Sequence, residues 1–199
     1  MPRVVPRRTT GLVTPPRQAS LTPKINAGCP RFVVYAGQMH GDPEIIEKLN
    51  EVLTAELTAI NQYFLHGKMQ SNWGYRKLGE HSREESIDEM KHADAITDRI
   101  LYFDGVPNYQ RLSPLRIGET VLEQFQADLA LEYEAVKRLN EGVALAAAKH
   151  DNGTRHLFEE ILVHEEEHID YLETQLELIN KLGEPLYLSK TIATPPTNG

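Results

Sequence analysis

The sequence predicts an all-α protein, a bundle of four long helices with a long crossover between the second and the third. Three observations predict it. Four segments of roughly 30 residues carry apolar side chains three and four positions apart, which is the helical period. One long Gly- and Pro-bearing connection, residues 104–119, stands between the second and third segments, while the other joins are short. No stretch alternates apolar and polar residues as a half-buried strand does.

The first helix starts at "GDPEIIEKLNEVL", with Asp42 as N-cap, Pro43 at the first helical position and acids in the first turn. Its stripe runs through Leu49, Val52, Leu53, Ala59, Ile60 and Tyr63 to a break near residues 72–74, about 45 Å at 1.5 Å per residue. The second spans about residues 73–103, its start blurred by Gly74 and Gly79. The connection "DGVPNYQRLSPLRIGE" follows and lacks a helical period. The third helix runs from about residue 119 to 150, with Leu122, Phe125, Leu129, Val136, Leu139 and Val143 in register, and the turn "HDNG" ends it. The fourth covers residues 154–182 through Leu157, Ile161, Leu172, Leu176 and Ile179, and Gly183 suits a left-handed C-terminal residue. A short apolar piece, "PLYLSKTIA", precedes a polar tail, residues 193–199.

The 199 residues suffice for one well-buried domain, and 40% hydrophobic with 25% charged residues is a globular composition that excludes disorder. No apolar run approaches the eighteen or so residues of a membrane span. Charge is unevenly spread. Residues 1–38 hold six bases and no acid, so fifteen of the 21 Lys and Arg face all 29 acids from Met39 onward, a balance of −14. Such a body repels nucleic acid and attracts cations. The single cysteine, Cys29, allows no intramolecular disulfide and no cysteine metal site, which fits a reducing cytoplasm. Residues 1–38, with six prolines, read as a basic flexible arm ahead of a domain at 39–192. The arm shares the Arg-rich, acid-free composition of transit peptides without an amphipathic helix; alternatively, translation starts at Met39.

Polar residues interrupt every stripe. Glu56 falls between Leu53 and Ile60, Glu132 between Leu129 and Val136, and the pairs Glu89/His92 and Glu165/His168 occupy core positions on the second and fourth helices. Glu-x-x-His places both side chains on one helix face. One such pair is a weak signal, because solvated helices produce it by chance. Two pairs and two single glutamates, all in register with apolar stripes, are not. Four buried carboxylates repel one another, and the stripes offer no Lys or Arg nearby, so two divalent cations are the natural counter-charge. The pattern is that of di-iron and di-manganese carboxylate bundles. Oxygen-rich sites with one imidazole per ion suit iron or manganese and also admit Zn(II); ligands that can bridge and shift favour iron. Met90, beside Glu89, points about 100° away from the stripe toward Ser86, Ala93 and Thr97, where a lone methionine is usually packing filler.

The stretches "AELTAINQYFLH", "ESIDEMKHADAITDRI", "DLALEYEAV" and "HEEEHIDYLETQLELI" resemble the bacterioferritins over residues 39–192. The resemblance implies a ferritin-like bundle with a short fifth helix, 24 subunits in a hollow homo-oligomeric cage, and iron storage in the cytoplasm. It implies a ferroxidase centre of Glu56, Glu89, His92, Glu132, Glu165 and His168, with Glu89 and Glu165 as bridges, where dioxygen or peroxide oxidises Fe(II) before ferric mineral is deposited. It further implies that Met90 from two subunits ligates one haem b across a two-fold axis, carrying electrons from a ferredoxin-type donor for iron release. Another ferritin-like di-metal oxidoreductase, of the peroxidase or manganese catalase type, is the alternative; a haem-bearing structural subunit of a mixed cage is a third, disfavoured because all six ligands are present. Some positions depart from the family pattern. Glu84 and Asp88 stand where some members have a His and Asp inner-surface site, His164 where some have an acid, and Tyr171 where some have tryptophan. Tyr63 is a hydrogen-bond or electron donor candidate, and the arm has no counterpart.

Overall fold

The computed structural model describes residues 41–192; the basic arm and the polar tail lie outside them. Four long helices and a short fifth are present: α1 Pro43–Asn72, α2 Arg76–Tyr102, α3 Val121–Ala148, α4 Asn152–Leu182 and α5 Glu184–Ser189. Asp42 caps α1 by accepting from the Glu44 N–H, Thr120 caps α3 and Asp151 caps α4. The second helix begins later than the sequence suggests. Gly74 takes a φ of +96° in the turn, and Tyr75 at the α2 N-cap makes no side-chain cap bond, so nothing local marks that start. Gly79 is no breaker: a Cβ there would lie 2.7 Å from the Gly67 carbonyl oxygen, so the two glycines let α1 and α2 approach closely. Gly183 closes α4 at φ +76°.

The crossover is pinned by a row of buried polar residues on α1 spaced four apart: Asn50, Thr54, Thr58, Gln62, His66 and Gln70. Asn50 accepts from the Asn108 N–H at 2.7 Å, Thr58 from Ser113 at 3.0 Å, Gln62 from Arg116 at 3.0 Å and His66 Nε2 from Gly118 at 3.2 Å. Contacts advance together along both segments, so the crossover runs in the direction of α1, covering about 24 Å between Asn50 and His66. It thereby returns the chain to the end of the bundle where α2 began, and α3 runs parallel to α2. Because His66 Nε2 accepts from a backbone N–H, its proton sits on Nδ1, which donates to buried Asp128 at 2.9 Å; Gln62 donates to the same carboxylate at 2.7 Å.

The core has two apolar clusters. One gathers Leu49, Leu53, Ile96, Ile100, Leu139, Phe158 and Ile161; the other Leu78, Val121, Phe125, Leu172, Ile179 and Tyr187. On α2, α3 and α4 the residues between these clusters are polar and buried, Glu89, Asp128 with Glu132, and Glu165; α1 joins the first cluster only, and its Glu56 lies at the same level. The bundle therefore has a polar middle layer sealed by apolar layers on both sides.

Candidate metal centre

All six residues singled out on the four stripes meet in that middle layer. Glu56, Glu89, Glu132 and Glu165 are 1–2% exposed and His92 is 6% exposed. Their donor atoms form two quartets, Glu56–Glu89–His92–Glu165 and Glu89–Glu132–Glu165–His168, each with its atoms within 4.8 Å of one another. Glu89 and Glu165 belong to both. His92 Nδ1 lies 3.4 Å from Glu56, 3.0 Å from Glu89 and 3.3 Å from Glu165, while His168 Nδ1 lies 3.3 Å from Glu89 and Glu165 and 3.9 Å from Glu132. Both imidazoles thus turn the same nitrogen inward. Among the described residues, no Lys or Arg pairs with any of these carboxylates.

Similarity to known proteins agrees with this geometry. A ferritin-like domain family matches residues 46–182. The chain is 62% identical over 159 residues to the bacterioferritin of Mycolicibacterium paratuberculosis, covering 80% of this chain and all of the relative. It is 61% identical to that of Streptomyces coelicolor, covering 77% of this chain and 92% of the relative. The chain belongs to the bacterioferritin family. In three dimensions the Mycobacterium tuberculosis bacterioferritin, BfrA, matches with a TM-score of 0.78 at 59% identity, over 80% of this chain and all of that one.

The donor set of this bacterioferritin suits divalent cations. Glu56 Oε1, Glu89 Oε1, both Glu165 carboxylate oxygens and His168 Nδ1 are buried without a hydrogen-bond partner, an arrangement that metal ligation satisfies. Protons take that part in the metal-free protein. Burial, and next the negative Glu89, push the Glu56 carboxyl well above the usual range; burial and Glu165 do the same to Glu132. Burial opposes charge on His92, but the facing carboxylates of Glu165, Glu56 and Glu89 outweigh it and the imidazole is pushed up to about 12. His168 rises likewise, burial being outweighed by Glu132, Glu165, Glu85 and Glu89. Burial of Glu89 is outweighed by the neighbouring imidazoles of His168 and His92, which hold its carboxyl below the usual range.

Around the six, Tyr63 donates its O–H to Glu132, and burial followed by the charges of Glu132 and Asp128 keeps the phenol protonated. The outward nitrogen of His168 contacts Glu85, which also meets His81 at 3.3 Å; the Tyr171 ring packs on His81 with centroids 3.8 Å apart. The outward nitrogen of His92 meets His164 Nδ1 at 2.9 Å. Glu85 and His81 escape a search for single core carboxylates, although residues 81, 85 and 89 follow one helix face at spacings of four, as do 164 and 168. Met90 is not among the gathered residues: it is 47% exposed on the outside of α2. Glu84 is exposed and Asp88 pairs with Lys91, so the two do not join a cluster.

Proposed function

We propose that this bacterioferritin oxidises Fe(II) at the buried centre and stores the ferric product within a 24-subunit homo-oligomeric cage in the cytoplasm. The observation that carries the reading is the pair of donor quartets sharing Glu89 and Glu165. Glu56 and His92 would hold one Fe(II) substrate ion, Glu132 and His168 the other, and Glu89 and Glu165 would lie between them. Each Fe(II) yields one electron; two electrons and two protons reduce dioxygen to hydrogen peroxide, or peroxide to two waters. The four carboxylates balance two divalent charges, and the flanking apolar clusters keep competing side chains out of the layer. Tyr63, donating to Glu132, holds that carboxylate's orientation.

Met90 fits a haem b ligand in one respect: it is solvent-facing beside small, buried Ser86 and Ala93, where a second subunit can approach. Haem there would supply electrons from a ferredoxin-type donor for iron release. Purified protein should have a native mass near 24 subunits with iron and about half a haem per chain; a small oligomer without a cavity would instead favour a peroxidase or manganese-catalase type. Glu56→Ala with Glu132→Ala should abolish rapid Fe(II) oxidation with assembly intact, and unchanged oxidation kinetics would sink the site assignment. Met90→Leu should remove the bis-thioether haem spectrum, and its retention would rule out Met90.

A further inference from the structure

The two halves of the centre are mirror-like in their six ligands but not in what stands behind the imidazoles. His168 backs onto a carboxylate, Glu85, through its outward Nε2. His92 backs onto a second imidazole and not a carboxylate: its Nε2 lies 2.9 Å from His164 Nδ1, with ring centroids 5.2 Å apart and planes within 16°, an edge-to-edge N···N contact. For His92 Nδ1 to face a cation it must be unprotonated, so the neutral ring carries its hydrogen on Nε2 and donates it; His164 Nδ1 accepts. We propose that the two metal positions are unequal by construction, the His92 position being the weaker and more exchangeable, and that His164 is the positioning residue that sets its affinity.

The inference rests on the di-metal reading of the site. A carboxylate acceptor draws the imidazole N–H toward it and makes the inward nitrogen a better donor; a neutral imidazole acceptor does so less. His92 and His164 line a surface cleft of about 460 Å³ that does not reach His168, yet the His168 side chain is 11% exposed against 7% for His92, so the inequality rests on the partners behind the imidazoles and not on access. His164 itself is exposed on α4, so replacing it leaves the core intact.

The test is anaerobic Co(II) titration of the full-length, iron-free protein, followed by calorimetry and by the cobalt visible spectrum, with no turnover involved. Two Co(II) should bind per chain in two resolved steps. His164→Ala should weaken only the weaker step, by about 10- to 100-fold, the usual cost of losing such a partner. His164→Asn, a neutral acceptor, should keep it near wild type, and His164→Asp should strengthen it until the steps merge. Glu85→Gln should weaken the stronger step alone. Two equal steps in the wild type, or His164 variants that move both steps together, would overturn the inference while leaving the di-metal reading standing. Fewer than two bound Co(II), insensitive to Glu56→Ala, would overturn both.

Discussion

Metal binding at this centre should release four protons per pair of ions near pH 7. Glu56 and Glu132 hold protons above the usual carboxyl range, and His92 and His168 keep the Nδ1 protons that a cation must displace. Four carboxylates with four protons form a neutral buried cluster, and so do four carboxylates with two divalent cations, so the exchange leaves no net charge in a medium that penalises it. Two protons per ion means that the logarithm of each apparent affinity rises by two per pH unit. Moving from pH 7 to pH 6 should therefore weaken each Co(II) step about 100-fold, or about 2.7 kcal/mol. Calorimetric titration in two buffers of different ionisation enthalpy counts the protons directly. Glu56→Gln, which has no carboxyl proton to lose, should lower the count from four to three. A release below two protons per pair would refute this account of how the empty site is neutralised.

Stability of the metal-free protein should fall as pH rises. Relative to the unfolded chain, the native state holds extra protons on Glu56 and Glu132 above their ordinary 4.5, and on His92 and His168 above 6.5. The imidazole contribution is complete below pH 6.5 and is lost as pH climbs toward the folded value, about 12 for His92. The thermal midpoint should decline from pH 6 to 9 without metal and stay nearly level with Co(II) bound; a level metal-free profile would contradict it. Gly79→Ala forces a methyl group to 2.7 Å from the Gly67 carbonyl, and since backbone cannot step aside, denaturation should show a loss of about 1–3 kcal/mol. His66→Ala leaves the Asp128 carboxylate and the Gly118 N–H without their partner at about 1–3 kcal/mol each, so the midpoint should drop and proteolysis within residues 104–119 should accelerate. Asp128→Asn in that background should recover part of the loss, and no recovery would show that the carboxylate is not the group at fault.

What the sequence displays is whatever repeats at helical spacing with a change of polarity. Glu56, Glu89, Glu132 and Glu165 are visible because each breaks an apolar row, and Asp42 with Pro43 is visible because a cap is a local signal. The row Asn50, Thr58, Gln62, His66 is hidden for the opposite reason. Polar residues four apart read as a solvated face, and only the fold shows that a crossover lies on them and takes their hydrogen bonds. Asp128 was hidden likewise, one turn before Glu132 and buried against His66. Gly79 is ambiguous in principle, since a glycine that breaks a helix and one that admits a neighbouring helix leave the same letter. Glu85 and His164 act through the outward nitrogens of other side chains, a relation that needs three dimensions to be seen.

The polar layer costs the fold stability, and its placement explains how the fold tolerates it. Helices α2, α3 and α4 pass through the layer from one apolar cluster to the other, while α1 is anchored by the first cluster and, beyond the layer, by its hydrogen bonds to the crossover. The backbone positions of the ligands are therefore set by Leu49, Leu53, Ile96 and Phe158 on one side and by Phe125, Leu172, Ile179 and the Gln62 and His66 contacts on the other. Side-chain orientation is then set by Tyr63 on Glu132, Glu85 on His168 and His164 on His92. A small metal-folded domain spends binding energy on ordering its chain. Here the ordering is done by apolar burial, and protons fill the centre when cations leave it. Ions can therefore enter and depart with the bundle standing, which is what a site must allow if its metal is the substrate and the product moves on into a store.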